Sequence, residues 1–184
     1  RGQDINVYTF NLSNTGGTLN LAGSAYFHAL NGGSGVDVLT GGAAGDGLFG
    51  NQGDDILDGD GGNDVIIGGD GADTLFGGVG EDRLEGQTGN DTLNGGSGDD
   101  SLSGGAGDDV LTGGDGSDHA KFTGNRADYI ITSTADGVTI SGPDGVDILT
   151  GVEWLDFADQ SLQAPVRFVG TSADELAPYG SSLN

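Results

Sequence analysis

The chain has 184 residues, of which 40 are glycine and none is cysteine, and its 29 acidic and five basic residues give a formal net charge of −24. This balance disfavours nucleic acids and anionic membranes, because contacts to phosphate come from lysine and arginine, and it favours cations. The sequence offers no disulfide or thiolate metal site, and it has no apolar run long enough to span a membrane.

Residues 1–31 share a leucine spacing with the periodic region that follows them. Leucines recur every nine residues, at Leu12, Leu21 and Leu30. In this phase Phe10, Leu19 and His28 stand where the later repeats have aspartate. We expect about three N-terminal capping coils without a metal site, beginning near Ile5. The alternative is a β-hairpin of the segments TFNLS and TLNLA, and the continuous coil is favoured because the spacing runs directly into the repeats.

Ten nonapeptides follow between Gly32 and Lys121 without an insertion or deletion. Position 1 is always glycine, position 4 is glycine except at Ala44, and position 8 is leucine or isoleucine until Ala120. Position 6 is aspartate in every repeat, at Asp37, Asp46, Asp55, Asp64, Asp73, Asp82, Asp91, Asp100, Asp109 and Asp118. A flexible acidic linker has no reason to keep such a phase, so the pattern indicates a solenoid.

Glycines at positions 1, 2 and 4 predict turns whose backbone angles other residues adopt only at a cost. At position 2 the exceptions are Asn51, Asp60 and Gln87. Asparagine and aspartate tolerate the left-handed conformation, whereas glutamine is a poorer fit.

The repeats GGSGVDVLT and GGAGDDVLT resemble the calcium-binding nonapeptides of the RTX (repeats-in-toxin) family, and the resemblance covers at least residues 32–121. It implies an all-β fold, a right-handed parallel β-roll in which six residues of each repeat form a turn and three form a short strand. Two repeats then complete one coil. It further implies a module of a larger bacterial protein that leaves the cell by type I secretion and folds outside, where calcium is abundant.

The position 6 aspartates are predicted to bind a cation, which explains why the chain contains so many carboxylates. Repeats n and n+2 lie one coil apart, so the aspartates form two columns with rungs about 4.8 Å apart. Carboxylates at this distance repel one another, and Ca²⁺ accepts six to eight oxygens in a forgiving geometry that Mg²⁺ does not share. Five turns on each side enclose four gaps, so we predict about eight Ca²⁺ ions, held by the ten aspartates and by turn carbonyls. Binding and folding are predicted to be one event.

Residues 122–163 are predicted to form a β-rich C-terminal cap. Residues 129–132 and 138–140 alternate around 135–137, which indicates a hairpin. The degenerate nonapeptide GPDGVDILT then places Asp147 at position 6 and Leu149 at position 8. We expect Trp154, Leu155 and Phe157 to cover the last coil. Residues 164–184 are irregular and are interpreted as a tail or as a linker to a further module.

No residue is assigned a catalytic role, and we expect no enzyme activity within this segment. His28 and His119 lie in no recognisable nucleophile motif, so both are predicted to be structural. An alternative function is binding of an acidic extracellular polysaccharide such as alginate, as in the R-modules of mannuronan C5-epimerases, through Arg83, Lys121 and Arg126. An adhesin extender is another alternative. In each case the segment is expected to be a monomeric module.

Overall fold

The computed structural model describes residues 8–12, 15–133 and 137–164. In this part the chain forms eighteen β-strands and one short 3-10 helix, Arg126–Asp128, and no helix is long and apolar enough to cross a membrane. The strands form two nine-stranded sheets, and through the repeats successive strands alternate between them. The result is a parallel β-solenoid of about six turns, which confirms the predicted all-β roll.

The two sheets have the following spatial order of strands. The first contains β1 (Tyr8–Asn11), β3 (His28–Ser34), β5 (Gly47–Gln52), β7 (Val65–Asp70), β9 (Arg83–Thr88), β11 (Ser101–Ala106), β13 (His119–Lys121), β17 (Trp154–Asp156) and β18 (Ser161–Gln163). The second contains β14 (Ile130–Ser133), β15 (Val138–Gly142), β16 (Gly145–Thr150), β12 (Val110–Asp115), β10 (Thr92–Ser97), β8 (Thr74–Val79), β6 (Ile56–Asp60), β4 (Val38–Gly42) and β2 (Thr18–Asn20). Neighbours pair in parallel except within β14–β15–β16 and β17–β18, which are antiparallel.

Within the repeats, equivalent residues pair at a separation of two nonapeptides. In the second sheet, for example, Leu93 lies between Leu75 and Leu111. Most strands here have six residues rather than the predicted three, because pairing resumes after the position 1 glycine, as in Gly96 with Gly114. The segment between strands is therefore a compact turn at positions 4–6.

The interior is a double column of position 8 side chains. Neighbouring residues of a strand point to opposite faces, so position 8 and the position 1 glycine both face inward, and position 8 alone supplies a side chain. Each such side chain is at most 1% exposed: Leu30, Leu39, Leu48, Leu57, Ile66, Leu75, Leu84, Leu93, Leu102 and Leu111. Full burial of one such side chain stabilises the fold by about 1.5–3 kcal/mol. The core is therefore narrow but continuous.

The first coils enter this core in a different phase from the one predicted. Phe10 pairs with Leu30 and Leu19 pairs with Leu39, so the expected places of Leu12 and Leu21 in the inner column were wrong. The inward residues Leu19 and Leu30 are two positions farther apart than the nine of a repeat. Because residues two apart in a strand point to the same face, the apolar pattern fits both phases. The predicted start near Ile5 lies outside the described residues.

At the other end, two strands from beyond the repeats extend the sheets. β16 lies beside β12 and brings Leu149 next to Leu111, while β17 lies beside β13 and brings Leu155 next to Ala120. The hairpin strands β14 and β15 pair as predicted, although the residues at its turn are outside the described part, as is the tail after residue 164.

An aromatic cluster closes this end of the roll. Phe122, Tyr129 and Phe157 have ring centroids 5.2–5.3 Å apart, and all three are buried. Trp154 is not part of this cluster, because it follows the inward-outward alternation of β17 and stacks on His119 of the last repeat on the outer face, with centroids 5.9 Å apart.

Candidate metal centre

The turns depend on left-handed backbone angles at positions 2 and 4. From Gly53 to Gly116 the position 4 glycines have φ between 107° and 148°. Among the described residues, the non-glycine residues with positive φ are Asn51, Asp60 and Gln87, with φ of 81°, 70° and 81°. These are the three position 2 exceptions. The left-handed conformation expected to be tolerated at Asn51 and Asp60 is confirmed, and Gln87 adopts it although glutamine is a poorer fit. Turns in this conformation stack closely enough to place each aspartate beneath the one before it.

The ten position 6 aspartates form two buried columns. None of their side chains is more than 3% exposed. One carboxylate oxygen, Oδ1, accepts a hydrogen bond from the main-chain N–H of the aspartate two repeats earlier, as from Asp55 to Asp73 and from Asp64 to Asp82, both at 2.8 Å. Eight such bonds of 2.6–2.9 Å link the described columns. The main-chain hydrogen bond to Oδ1 therefore fixes the direction in which each carboxylate points.

The second carboxylate oxygen has no such partner. Oδ2 of all ten aspartates is buried without a hydrogen bond, and at Asp37 Oδ1 is also unpaired. Burial of a charged oxygen without a partner is strongly unfavourable. A second acceptor lies close by, because a Cβ added at Gly32 would be 2.6 Å from both Asp37 Oδ2 and the carbonyl oxygen of Gly50. Oxygen atoms that converge with no N–H or O–H group between them are the kind of ligands that a hard cation such as Ca²⁺ prefers.

The comparison with protein families bears on the same residues. A family model described as "RTX calcium-binding nonapeptide repeat (4 copies)" matches residues 29–57, 49–84 and 85–120, which together span half of the chain. The chain belongs to this family. No curated protein matches the chain. Because the RTX repeats bind calcium, the roll is a calcium-binding structural module, and the buried unpaired oxygens show that its residues suit the ion.

The RTX columns also have perturbed acidities. Burial raises the pKa of Asp55 and Asp100 to about 6 and the pKa of Asp64 and Asp91 to about 7; the main-chain hydrogen bond partly opposes this shift, and neighbouring carboxylates add to it. Burial likewise raises the pKa of Asp73, Asp82, Asp109 and Asp118. A cation beside the column removes this penalty, so protons and calcium compete for the same oxygens.

Within the described residues, no three histidine, cysteine, aspartate or glutamate side chains come together as a metal-binding group. Each gap of a column offers two aspartates, one from each rung. Main-chain carbonyls therefore have to supply the remaining oxygens, and the position 1 glycines leave room for them. At Gly41, for example, a Cβ would be 2.7 Å from both Asp46 Oδ2 and the carbonyl oxygen of Gly59.

His28 closes the N-terminal end of one column. It occupies the aspartate position beside Asp46, where its main-chain N–H and its ring Nδ1 lie 2.5 and 3.0 Å from Asp46 Oδ1. The ring is 3% exposed and its Nε2 lies 3.1 Å from Ser24 Oγ. This Ser24–His28–Asp46 chain has the connectivity of a hydrolase triad. Asp46 is a member of the column, however, and Ser24 Oγ also accepts a hydrogen bond from the N–H of Tyr26, which is consistent with a capping role.

His119 lies on the outer face of the first sheet. Its Nδ1 is 2.8 Å from Asp156 Oδ2, and its ring stacks on Trp154. Trp154 in turn donates from Nε1 to Ser117 Oγ at 3.2 Å. These contacts tie β17 to the last repeat and give His119 a structural role.

Sequence reasoning missed one member of the columns and left another open. Asp147, noted at position 6 of a degenerate repeat, extends the column of Asp109. Glu153, which was not singled out, extends the column of Asp118. No repeat signal could have found Glu153, because the inward residues Leu149 and Leu155 are six positions apart, where the inward residues of successive repeats are nine apart.

Proposed function

We propose that this RTX roll is the calcium-dependent folding and scaffold module of a larger secreted bacterial protein. The observation that carries the proposal is the unpaired, buried Oδ2 of all ten position 6 aspartates. Asp37, Asp46, Asp55, Asp64, Asp73, Asp82, Asp91, Asp100, Asp109 and Asp118 are the proposed ligands, together with turn carbonyls.

About eight ions follow from this arrangement. Each column of five aspartates encloses four gaps, and each gap offers one carboxylate from each rung. The ions would offset part of the net charge of −24 at the place where charges are buried closest together. Mg²⁺ is a poor substitute, because it requires six ligands at a fixed short distance and gives up its water reluctantly.

Folding is coupled to this binding. The aliphatic interior is only two side chains wide, one from each sheet. The aspartate columns bury ten carboxylates that oppose folding unless a cation or a proton reaches them. A ligand that binds only the folded chain stabilises it by mass action. At low cytosolic calcium the repeats would therefore remain unfolded and compatible with export, and at the higher calcium concentration outside the cell they would form the rigid roll.

Far-UV circular dichroism of the full chain tests this proposal. In excess chelator we expect most of the strand signal to be lost, and calcium should restore it cooperatively. The same concentration of magnesium serves as the control and should restore little. A strand signal that survives chelation unchanged would contradict the coupling of folding to calcium.

The polysaccharide alternative gains no support from two of its three basic side chains, Arg83 and Arg126. Arg83 forms an ion pair with Glu85 on the outer face, and Arg126 is held by the carbonyl of Tyr129 at 2.7 Å and packs over Phe157. A polyanion would have to displace these contacts. Titration with alginate, followed by calorimetry, tests this alternative directly.

A further inference from the structure

The hydrogen-bond pattern of the columns continues past the last RTX repeat. Asp109 donates its main-chain N–H to Asp147 Oδ1 at 3.1 Å, and Asp118 donates its N–H to Glu153 Oε2 at 2.8 Å. These are the contacts that an aspartate two repeats later makes within the array. Both acceptors lie outside residues 29–120, the part that matches the repeat family.

The oxygens left unpaired are also the same. Oδ2 of Asp109 and Oδ2 of Asp118 are buried without a hydrogen-bond partner, although neither is followed by another RTX repeat in its own column. At Asp118 the turn carbonyl is present as well: the Cβ position of Gly113 lies against both Asp118 Oδ2 and the carbonyl oxygen of Gly151. Gly151 thus takes the place that the position 1 glycine of a following repeat would have.

Each of the two acidic groups is held in place by the cap. Asp147 is 4% exposed, and it follows a turn in which Gly107 donates its N–H to the carbonyl of Asp144 at 2.7 Å. Glu153 is anchored through the main chain, because its N–H and that of Trp154 donate to the carbonyl of Asp118 at 3.1 and 2.9 Å. The loop before Glu153 is three residues shorter than in a repeat, and the extra methylene of glutamate lets its carboxylate reach the column.

We propose that the C-terminal cap completes one further Ca²⁺ site in each column, between Asp109 and Asp147 and between Asp118 and Glu153. The inference rests on the proposed function, since it assigns the same ion to two more gaps. It raises the ion content of the chain from about eight to about ten. It also makes docking of the cap depend on calcium, because β16 and β17 carry the two acidic residues.

The opposite end of the column that ends at Glu153 has no equivalent site. There His28 occupies the rung: its main-chain N–H donates to Asp46 Oδ1 as an aspartate of the array would, but its side chain is an imidazole whose Nδ1 lies 3.0 Å from the same oxygen. An imidazole closes that end, whereas carboxylates continue the column at the cap. The two ends of one column thus differ in whether they leave room for a cation.

Counting bound calcium in the full chain by equilibrium dialysis tests the inference. We expect about ten ions for the wild type and one fewer for each of Glu153→Gln and Asp147→Asn. Asp115→Asn is the matched control, because Asp115 is an exposed carboxylate in the same repeat as Asp118, and it should leave the count unchanged. Circular dichroism in calcium verifies that each variant is folded.

The wild-type count needs no variant and keeps the test open if a substitution prevents folding. Eight ions in the wild type, with no loss in Glu153→Gln and Asp147→Asn, would overturn the two cap sites and leave the proposed function intact. No calcium bound at all would overturn both.

Discussion

The aliphatic columns and the aspartate columns arise from the same repeats and are equally buried, but only the aliphatic ones are complete in the chain alone. Leu75 and Leu93 pack against like side chains and have no polar atom to satisfy. Asp73 and Asp91 are about 1% exposed, and each buries an oxygen without a hydrogen-bond partner. The chain alone therefore completes the aliphatic half of its interior, whereas the aspartate half needs a bound cation to pair its buried oxygens.

The largest effect should come from pH in the absence of calcium. Because burial raises the pKa of the column aspartates to about 6 or 7 at Asp55, Asp64, Asp91 and Asp100, the folded chain holds more protons than the unfolded chain, whose carboxylates titrate near pH 4. The stability from protonation is therefore fully present below pH 4 and is lost as the pH rises through 6 to 7.

In chelator, the strand signal in circular dichroism should thus be larger at pH 5 than at pH 8. Saturating calcium serves as the control and should reverse the order, because calcium needs the ionised carboxylates. A chelated chain that is no more folded at pH 5 than at pH 8 would show that the columns carry no such penalty.

A substitution in the aliphatic column should act without changing the number of ions. Leu75→Ala removes a fully buried side chain, and such truncations destabilise proteins by about 2–5 kcal/mol. Denaturant unfolding in saturating calcium measures this loss, while equilibrium dialysis should give the wild-type ion count. A lower ion count would mean that the two kinds of column are not separable.

A substitution in the aspartate column should do the opposite. Asp82→Asn keeps the oxygen that accepts from Asp64 but removes the charge shared by two gaps, so two ions should be lost. Each site at calcium tenfold above its Kd contributes about 1.4 kcal/mol, so the expected loss of stability is about 3 kcal/mol and should shrink as calcium is lowered.

Glu81→Gln is the matched control for Asp82→Asn, because Glu81 is the neighbouring residue and is exposed. It should leave both the ion count and the unfolding free energy unchanged. Equal effects of the two substitutions would reduce the role of Asp82 to its contribution to net charge.

The smallest effect concerns the room beside one carboxylate. A Cβ at Gly41 would be 2.7 Å from Asp46 Oδ2 and from the carbonyl of Gly59, whereas a Cβ at Gly61 would meet nothing closer than 3.9 Å. Neither glycine has a positive φ. Gly41→Ala should therefore cost about 1–3 kcal/mol by overpacking and weaken one calcium site, and Gly61→Ala should do neither. Calorimetric calcium titration distinguishes the two variants, and equal behaviour would contradict the geometry of the gap.

The structure of the repeats could be predicted well from the sequence, because the same nonapeptide pattern occurs ten times. Ten copies fix the register of each rung, the burial of each position 6 aspartate and the left-handed angle at Gln87, since one geometry has to satisfy all of them. The flanks lack this redundancy. Phe10 and Leu12 satisfy the same inward alternation, so the two-residue shift of the first coils was hidden. Glu153 joins its column only through the pairing of β17 with β13, a long-range contact that no local pattern records.

An anomalous difference map from crystals of the full chain grown in calcium would show whether cations fill the aspartate columns. We expect two rows of peaks, each beside the Oδ2 atoms of one aspartate column and spaced by about 4.8 Å, the distance between rungs. A roll with the ten aspartates buried and no peak beside any of them would contradict calcium binding in the columns.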